Sequence, residues 1–246
     1  MQLTTKSEKL DFGKLLKSIA TNRSLMGIIA AALMLLLSQL TMSGMSSYVY
    51  PNYYGSAAAQ SVANLSGTAV MLVICAPTAV KLSEKLGKKE LATASSLVAA
   101  VSYVICYIVH PSSPWVYIVF YAIATVGMGY FNTIVWAMIT DVIDDTEVRT
   151  GVREDGTVYS VYSFARKLGQ ALSSGLIGGL LSMIGYSEAT AFDPAVTESI
   201  FKMSCIAPII GFAALALVLF FIYPLNKSKV EENVAVLAAR REGKEN

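Results

Sequence analysis

Ser160, Ser163, Lys167, Gln170 and Ser174 are the densest polar set within the apolar part of this sequence. Spacings of three and four place them on one face of a helix, while Val161, Phe164, Leu168 and Leu172 fall on other faces. An ammonium, a carboxamide and three hydroxyls in a line can hold a ligand. They do not form a nucleophile, base and orienter set, so the chemistry is binding rather than bond breaking. Lys167 lies two to three turns into its helix, too deep for a comfortable headgroup position, and is read as facing a cavity. Its neighbour Arg166 is read as snorkelling to the headgroups. A second cluster precedes this helix: Asp141, Asp144, Asp145 and Glu147, then Arg149, Gly151, Arg153, Glu154, Asp155 and Gly156. Asp141 and Asp144 share the C-terminal end of a helix, where the dipole disfavours negative charge. They need cations, and Arg149 and Arg153 follow, with Gly151 and Gly156 permitting tight turns. The expectation is a loop folded back by ion pairs that acts as a gate lock. The alternative is a solvated loop whose exposed pairs contribute little.

The elements that carry these residues are membrane helices. Of 246 residues 54% are apolar and only 15% charged, with a mean hydropathy of +0.55, whereas a water-soluble domain carries roughly 25% charge. No Asp, Glu, Lys or Arg occurs from Ser24 through Val80 or from Leu91 through Thr140. Each silent stretch accommodates two passes of ~20 residues and is broken near its middle by turn residues: Pro51, Asn52 and Gly55 in one, Pro111 to Pro114 in the other. Uncharged runs from Leu168 to Ser187 and from Met203 to Asn226 supply two more. The predicted spans are Leu25 to Val49, Ala58 to Leu82, Leu91 to Val109, Trp115 to Ile139, Val158 to Ile184 and Ile200 to Tyr223. The fold class expected is an all-α membrane protein of six transmembrane helices (24–225), with a lead-in (1–23) and a tail (226–246). Lys6, Lys9, Lys14, Lys17 and Arg23, then Lys81 to Lys89, Arg149 and Arg153, and Lys227 to Lys244 all fall on one side. Basic residues are retained in the cytoplasm, so both termini are expected there.

Other spans carry weaker polar faces: Gln39, Ser43 and Ser46 or Ser47 in the first, with Tyr50 just beyond; Asn64, Ser66 and Thr68 in the second; Asn132, Thr133, Trp136 and Thr140 in the fourth. Lone Ser and Thr in such helices usually bond their own backbone, but several polar faces together point to a shared aqueous or ligand-filled space. Tyr48, Tyr50, Tyr53 and Tyr54 sit where an interfacial belt is expected, and aromatic rings also stack on sugar faces. His110 reads as a headgroup contact. Gly169 and Ser173, then Gly175 and Gly179, permit close helix approach. Cys75, Cys106 and Cys205 lie in three different spans, without metal or disulfide spacing, and read as packing residues. Leu10, Leu15, Leu16 and Ile19 among Lys9, Lys14 and Lys17 suggest a short surface helix rather than a signal peptide. The basic residues are explained by topology, so no nucleic-acid partner is expected. Nothing supports an enzyme, a metal centre or a bound cofactor.

The run from Trp136 to Tyr186, with W-A-M-I-T-D-V-I-D-D, R-T-G-V-R-E-D-G, Y-S-V-Y-S-F-A-R-K-L-G and M-I-G-Y, resembles the glycoside-pentoside-hexuronide:cation symporters of the major facilitator superfamily, of the melibiose-carrier type. Weaker likeness covers most of the chain, including Thr21, Asn22 and Arg23, and aligns the six spans with that family's helices seven to twelve. The resemblance implies a half-bundle that takes up sugar by alternating access, with a site shared between two halves. It implies that Lys167, with Asn132 or Trp136, faces the substrate cavity and that Asp141 and Asp144 belong to the cytoplasmic gating region. The polar faces read above add Gln170, Ser163, Gln39 and Tyr50 to the expected cavity, and the expected ion pairs and turn add Arg149, Arg153 and Gly151 to the gate. The coupling cation, Na+ or H+, would be held mostly by an N-terminal half. Expected partners are membrane lipid, a sugar, and either an N-terminal six-helix half or a second copy, in the plasma (inner) membrane. The alternative is a non-transporting remnant or a membrane interaction subunit.

Overall fold

The computed structural model describes residues 21–245, with side chains through 243, so the expected surface helix around Leu10 to Ile19 lies outside the described residues. Seven helices follow one another: α1 (Arg23–Tyr53), α2 (Ala57–Leu86), α3 (Lys88–Val109), α4 (Pro114–Thr150), α5 (Asp155–Met183), α6 (Pro194–Ile222) and α7 (Lys227–Glu245). Local chemistry sets their ends. The Asn22 side chain accepts from the Leu25 amide at 3.1 Å and so caps α1, satisfying one of the amides that a helix start leaves unbonded. Pro114 and Pro194 open α4 and α6, where a missing N–H costs nothing. Gly151 stops α4 in the left-handed region at φ +76°, a conformation that L side chains rarely adopt.

The helix limits agree with the hydropathy reading to within a few residues, with one large difference. The fourth helix does not stop at Ile139 but runs on to Thr150. Asp141 to Arg149 therefore lie on helix, and the charged connection shrinks to four residues. α1 to α4 and α6 are long and apolar enough to cross a membrane. α5 has the length, at 29 residues, but its polar stripe keeps it outside that group.

Four helices form a kernel. α3 lies between α4 and α6, α1 packs on α6, and α2 and α5 are attached at the flanks, α2 mainly to α4 and α5 mainly to α1. The contacts are close where small residues permit it. A Cβ on Gly127 of α4 would collide with the Ser95 backbone carbonyl of α3, and one on Gly27 of α1 would lie 2.8 Å from Tyr223 Cα. α2 meets α4 through Ala59, Ala63, Gly67, Cys75 and Ala79, all buried. At 3.6 residues per turn, steps of four would carry such a stripe about 200° around the helix from Ala59 to Ala79. The π turn at Val70–Cys75 takes in an extra residue and returns the stripe toward α4.

Two ends of the bundle differ in character. One gathers Tyr53, Tyr54, His110, Tyr117 and Phe201 in mutual ring contact. The other gathers the ion pairs of Lys88, Asp141, Asp144 and Arg153.

Candidate substrate cleft and charged end

The attached face of α5 buries Val158, Tyr162, Ala165, Gly169 and Ser173. Gly169 lets α1 approach, since a Cβ there would meet Leu36 Cβ at 3.2 Å. The opposite face carries Ser160, Ser163, Lys167, Gln170 and Ser174, all exposed. Ser163, Arg166, Lys167 and Gln170 line one concavity, and Trp136 of α4 forms its wall. Trp136 is 49% exposed, and its ring packs edge-on to Tyr162 at 5.6 Å and tilted against Tyr159 at 6.4 Å.

Arg166 lies against aromatic rings. Its guanidinium lies 5.9 Å from the ring centroids of both Trp136 and Tyr162, within cation–π range. Arg166 and Lys167 both lack an acidic partner within 4.0 Å among the described residues. The concavity therefore presents two cations, a carboxamide, a hydroxyl and a half-exposed indole, a set able to orient a polar, flat-faced ligand.

Asn132 lies one turn before Trp136 on the same face of α4, and its amide donates to Gln39 Oε1 of α1 at 3.1 Å. The two half-buried side chains hold α1 and α4 together beside the concavity. Thr133 and Thr140 donate to their own helix at Gly129 and Trp136. Tyr50 is elsewhere: fully buried, tilted against Tyr54 and edge-on to Tyr117, it does not border the concavity. The bend that the π turn Val49–Tyr53 puts into the end of α1 directs it inward.

At the charged end the partners differ from those expected. Asp141, almost buried, is held by Lys88 of α3 at 2.6 and 2.8 Å, not by Arg149 or Arg153. A lysine in the first turn of a helix opposes the dipole, and that was the available signal that Lys88 has a partner elsewhere. Arg153 gathers Asp144 at 2.8 Å, Glu147 at 3.0 Å and Asp155 at 3.0 Å, tying the end of α4 to the start of α5. Bonded first to Asp144 and then to Glu147, the guanidinium has its pKa raised further above the ordinary arginine value, and its charge is fixed at every working pH. Gly151 makes the turn between them.

Asp145 is a centre that its place in the acidic run did not reveal. Buried, it accepts from Ser24 Oγ of α1 at 2.6 Å and from Asn233 Nδ2 of α7 at 3.1 Å. Arg149 stands 3.9 Å away and donates to Asn22 Oδ1 at 3.2 Å. Arg240 of α7 donates to the Glu147 and Val148 carbonyls, bonding acceptors that the end of α4 leaves free. The tail helix is thus fastened to the end of α4, and is joined to α1 through the Asp145 carboxylate that it shares with Ser24.

An all-helical bundle of apolar spans, with one open polar flank and an ion-paired end, defines the class: an integral membrane protein of helical type. The chain belongs to the MFS/sugar transport protein family, whose model matches residues 2–227. It is 30% identical over 226 residues to the glucuronide carrier protein homolog of Escherichia coli K12, covering 92% of this chain and 49% of the relative. It is 31% identical to a putative sulfoquinovose importer of Salmonella typhimurium over 71% of this chain and 36% of the relative. The putative glycoside/cation symporter YagG of Escherichia coli K12 shares 34% identity over 41% of this chain and 23% of its own length. These relatives are transporters, in keeping with the resemblance to glycoside-pentoside-hexuronide:cation symporters. The chain spans about half the length of the first two curated relatives it matches, at 49% and 47%.

Proposed function

We propose that this chain is the C-terminal half of a cation-coupled sugar symporter, working by alternating access together with an N-terminal six-helix half. The observation that carries the reading is the open flank of α5. A membrane-length helix that turns Lys167, Gln170 and Ser163 outward beside a half-exposed Trp136 needs a polar space in front of it. α5 counts as a span on this reading, with its polar stripe facing that space rather than lipid, which makes six spans. The ion-paired end is cytoplasmic, as the run of basic residues argues, and the membrane is the plasma (inner) membrane. Asp141, Asp144, Arg149, Gly151 and Arg153 belong to the cytoplasmic gate, with Lys88 as the partner of Asp141. Coupling to Na+ or H+ depends on the other half.

Two relatives are named for glucuronide and sulfoquinovose, sugars that carry a carboxylate or a sulfonate. Arg166 and Lys167, without an acidic partner among the described residues, make an anionic sugar the first substrate to try. The test is cation-dependent uptake of labelled glucuronide, pentoside and disaccharide into vesicles, comparing this chain alone with this chain plus an N-terminal half. Uptake that requires the second half supports the reading, provided Lys167→Ala abolishes accumulation. Uptake by the chain alone overturns it in favour of a homodimeric carrier, and no uptake in either case favours a non-transporting role.

A further inference from the structure

Cys106 of α3 and Cys205 of α6 point at each other across the seam between these two kernel helices, with their sulfurs 3.9 Å apart. Both are fully buried. They are 99 residues apart in sequence, so spacing along the chain could not reveal the pair. The surroundings are firm on three sides. Phe201, one turn before Cys205, lies tilted against the His110 ring at 4.3 Å. Ser204 accepts from the Tyr117 hydroxyl at 3.1 Å, and Tyr117 also lies against Tyr103.

One side is less constrained. Pro208 lies inside α6, three residues beyond Cys205. Its ring has no N–H to donate to the Ser204 carbonyl, so the helix lacks a rung there and can bend. The arm of α6 that carries Cys205 is thus joined to the rest of the helix through a weakened turn. Among the described residues it is held to α3 by packing and by the His110–Glu198 contact at 3.3 Å. Closing the sulfurs to bonding distance needs an approach of about 2 Å, which side-chain rotation and a small bend at Pro208 can supply.

We propose that Cys106 and Cys205 are an oxidisable dithiol that closes to a disulfide and pins the outer arm of α6 to α3. The oxidant must be a membrane-permeant two-electron hydrogen acceptor, because the thiols lie in an apolar span. Two S–H bonds break, one S–S bond forms, and the two protons and two electrons pass to the acceptor, reducing an azo group to a hydrazine or a quinone to a hydroquinone. The third cysteine, Cys75, serves as an internal control. Its thiol faces the Val126 carbonyl at 3.7 Å on the other side of the bundle and has no sulfur to pair with.

The experiment treats membranes containing the full chain with diamide, unfolds the protein in detergent, alkylates all free thiols and counts labels by intact mass. The untreated chain takes three labels, one for each cysteine in the sequence. After diamide it should take one, carried by the Cys75 peptide, and dithiothreitol should restore three. Cys106→Ser should keep both of its remaining labels through the same treatment, which separates a disulfide from adducts formed by the oxidant. Three labels after diamide, loss of label in the Cys106→Ser chain, or a bond found only between two chains would each overturn the proposal. The readout does not depend on transport, so it stands or falls apart from the symporter assignment.

Discussion

Lys88 Nζ and Asp141 Oδ1 lie 2.6 Å apart and join the first turn of α3 to α4 across 53 residues of sequence. Asp141 is 8% exposed and Lys88 29% at the side chain, so the pair is largely withdrawn from water. Removing one partner strands a buried charge, whereas replacing both strands none. Lys88→Ala should therefore lower the unfolding free energy by about 3 kcal/mol, and the double change Lys88→Met with Asp141→Leu should cost much less. A double-mutant cycle read by thermal unfolding in detergent checks this. A loss in the double variant equal to the sum of the losses in Lys88→Met and Asp141→Leu alone would mean that the pair contributes no coupling.

Arg153 predicts the opposite balance of stability and activity. Its three carboxylate partners sit at the surface, where such pairs are worth roughly 1 kcal/mol or less. Arg153→Ala should leave the melting temperature nearly unchanged. Uptake in the assembled carrier should nevertheless fall, because the variant frees the α4–α5 turn. A large loss of stability with normal residual activity would move Arg153 out of the gate.

Two sets of glycines separate internal packing from assembly. Gly127→Ala drives a methyl group into the Ser95 backbone of α3, and overpacking of this kind costs about 1–3 kcal/mol. At Gly175, Gly178 and Gly179 of α5 a Cβ would meet nothing within 4 Å. Leucine at these three positions should leave the isolated chain as stable as before, yet prevent productive pairing with an N-terminal half. Co-purification of the two halves reads this out, and undiminished pairing would place the contact surface elsewhere.

Asn233→Ala should detach the tail helix. It removes one of the donors to the buried Asp145 carboxylate, and a buried hydrogen bond to a charged group is worth about 1.5–3 kcal/mol. Faster proteolysis within α7, with the other helices protected, is the expected result. Unchanged protection of α7 would show that Leu237 and Arg240 suffice to hold it.

The helices were legible because the lipid-spanning parts of the sequence exclude charge, and the face of α5 was legible because helical periodicity is local. What could not be read depends on residues brought together from distant segments. The run of α4 on through Asp145, Glu147 and Arg149 was hidden, because so many acids at a helix end look unstable until Lys88, Arg153, Ser24 and Asn233 neutralise or bond them. The contact of Arg166 with Trp136 and Tyr162 could not be read, because it joins side chains of two different helices. Tyr50 looked accessible because a straight helix would have carried it past the end of α1, and nothing in the sequence announced the π turn. The cysteines looked unrelated for the same reason that Lys88 did: their proximity belongs to the packing of α3 on α6, not to any local pattern.

The attachment of α1 to α5 and α6, rather than to its sequence neighbour α2, has a consequence for biosynthesis. Helices enter the membrane in the order in which they are translated, so α1 is inserted while the surfaces it will finally cover are still on the ribosome. α3 and α4 can pair as soon as both have emerged, and α2 can settle on α4 at once. α1 has to wait for the last two spans, and only when α6 arrives can Arg23 reach the Phe221 and Ile222 carbonyls. Closure of the bundle is therefore a late event, and a ribosome stalled before Pro194 would leave α1 without its main partner.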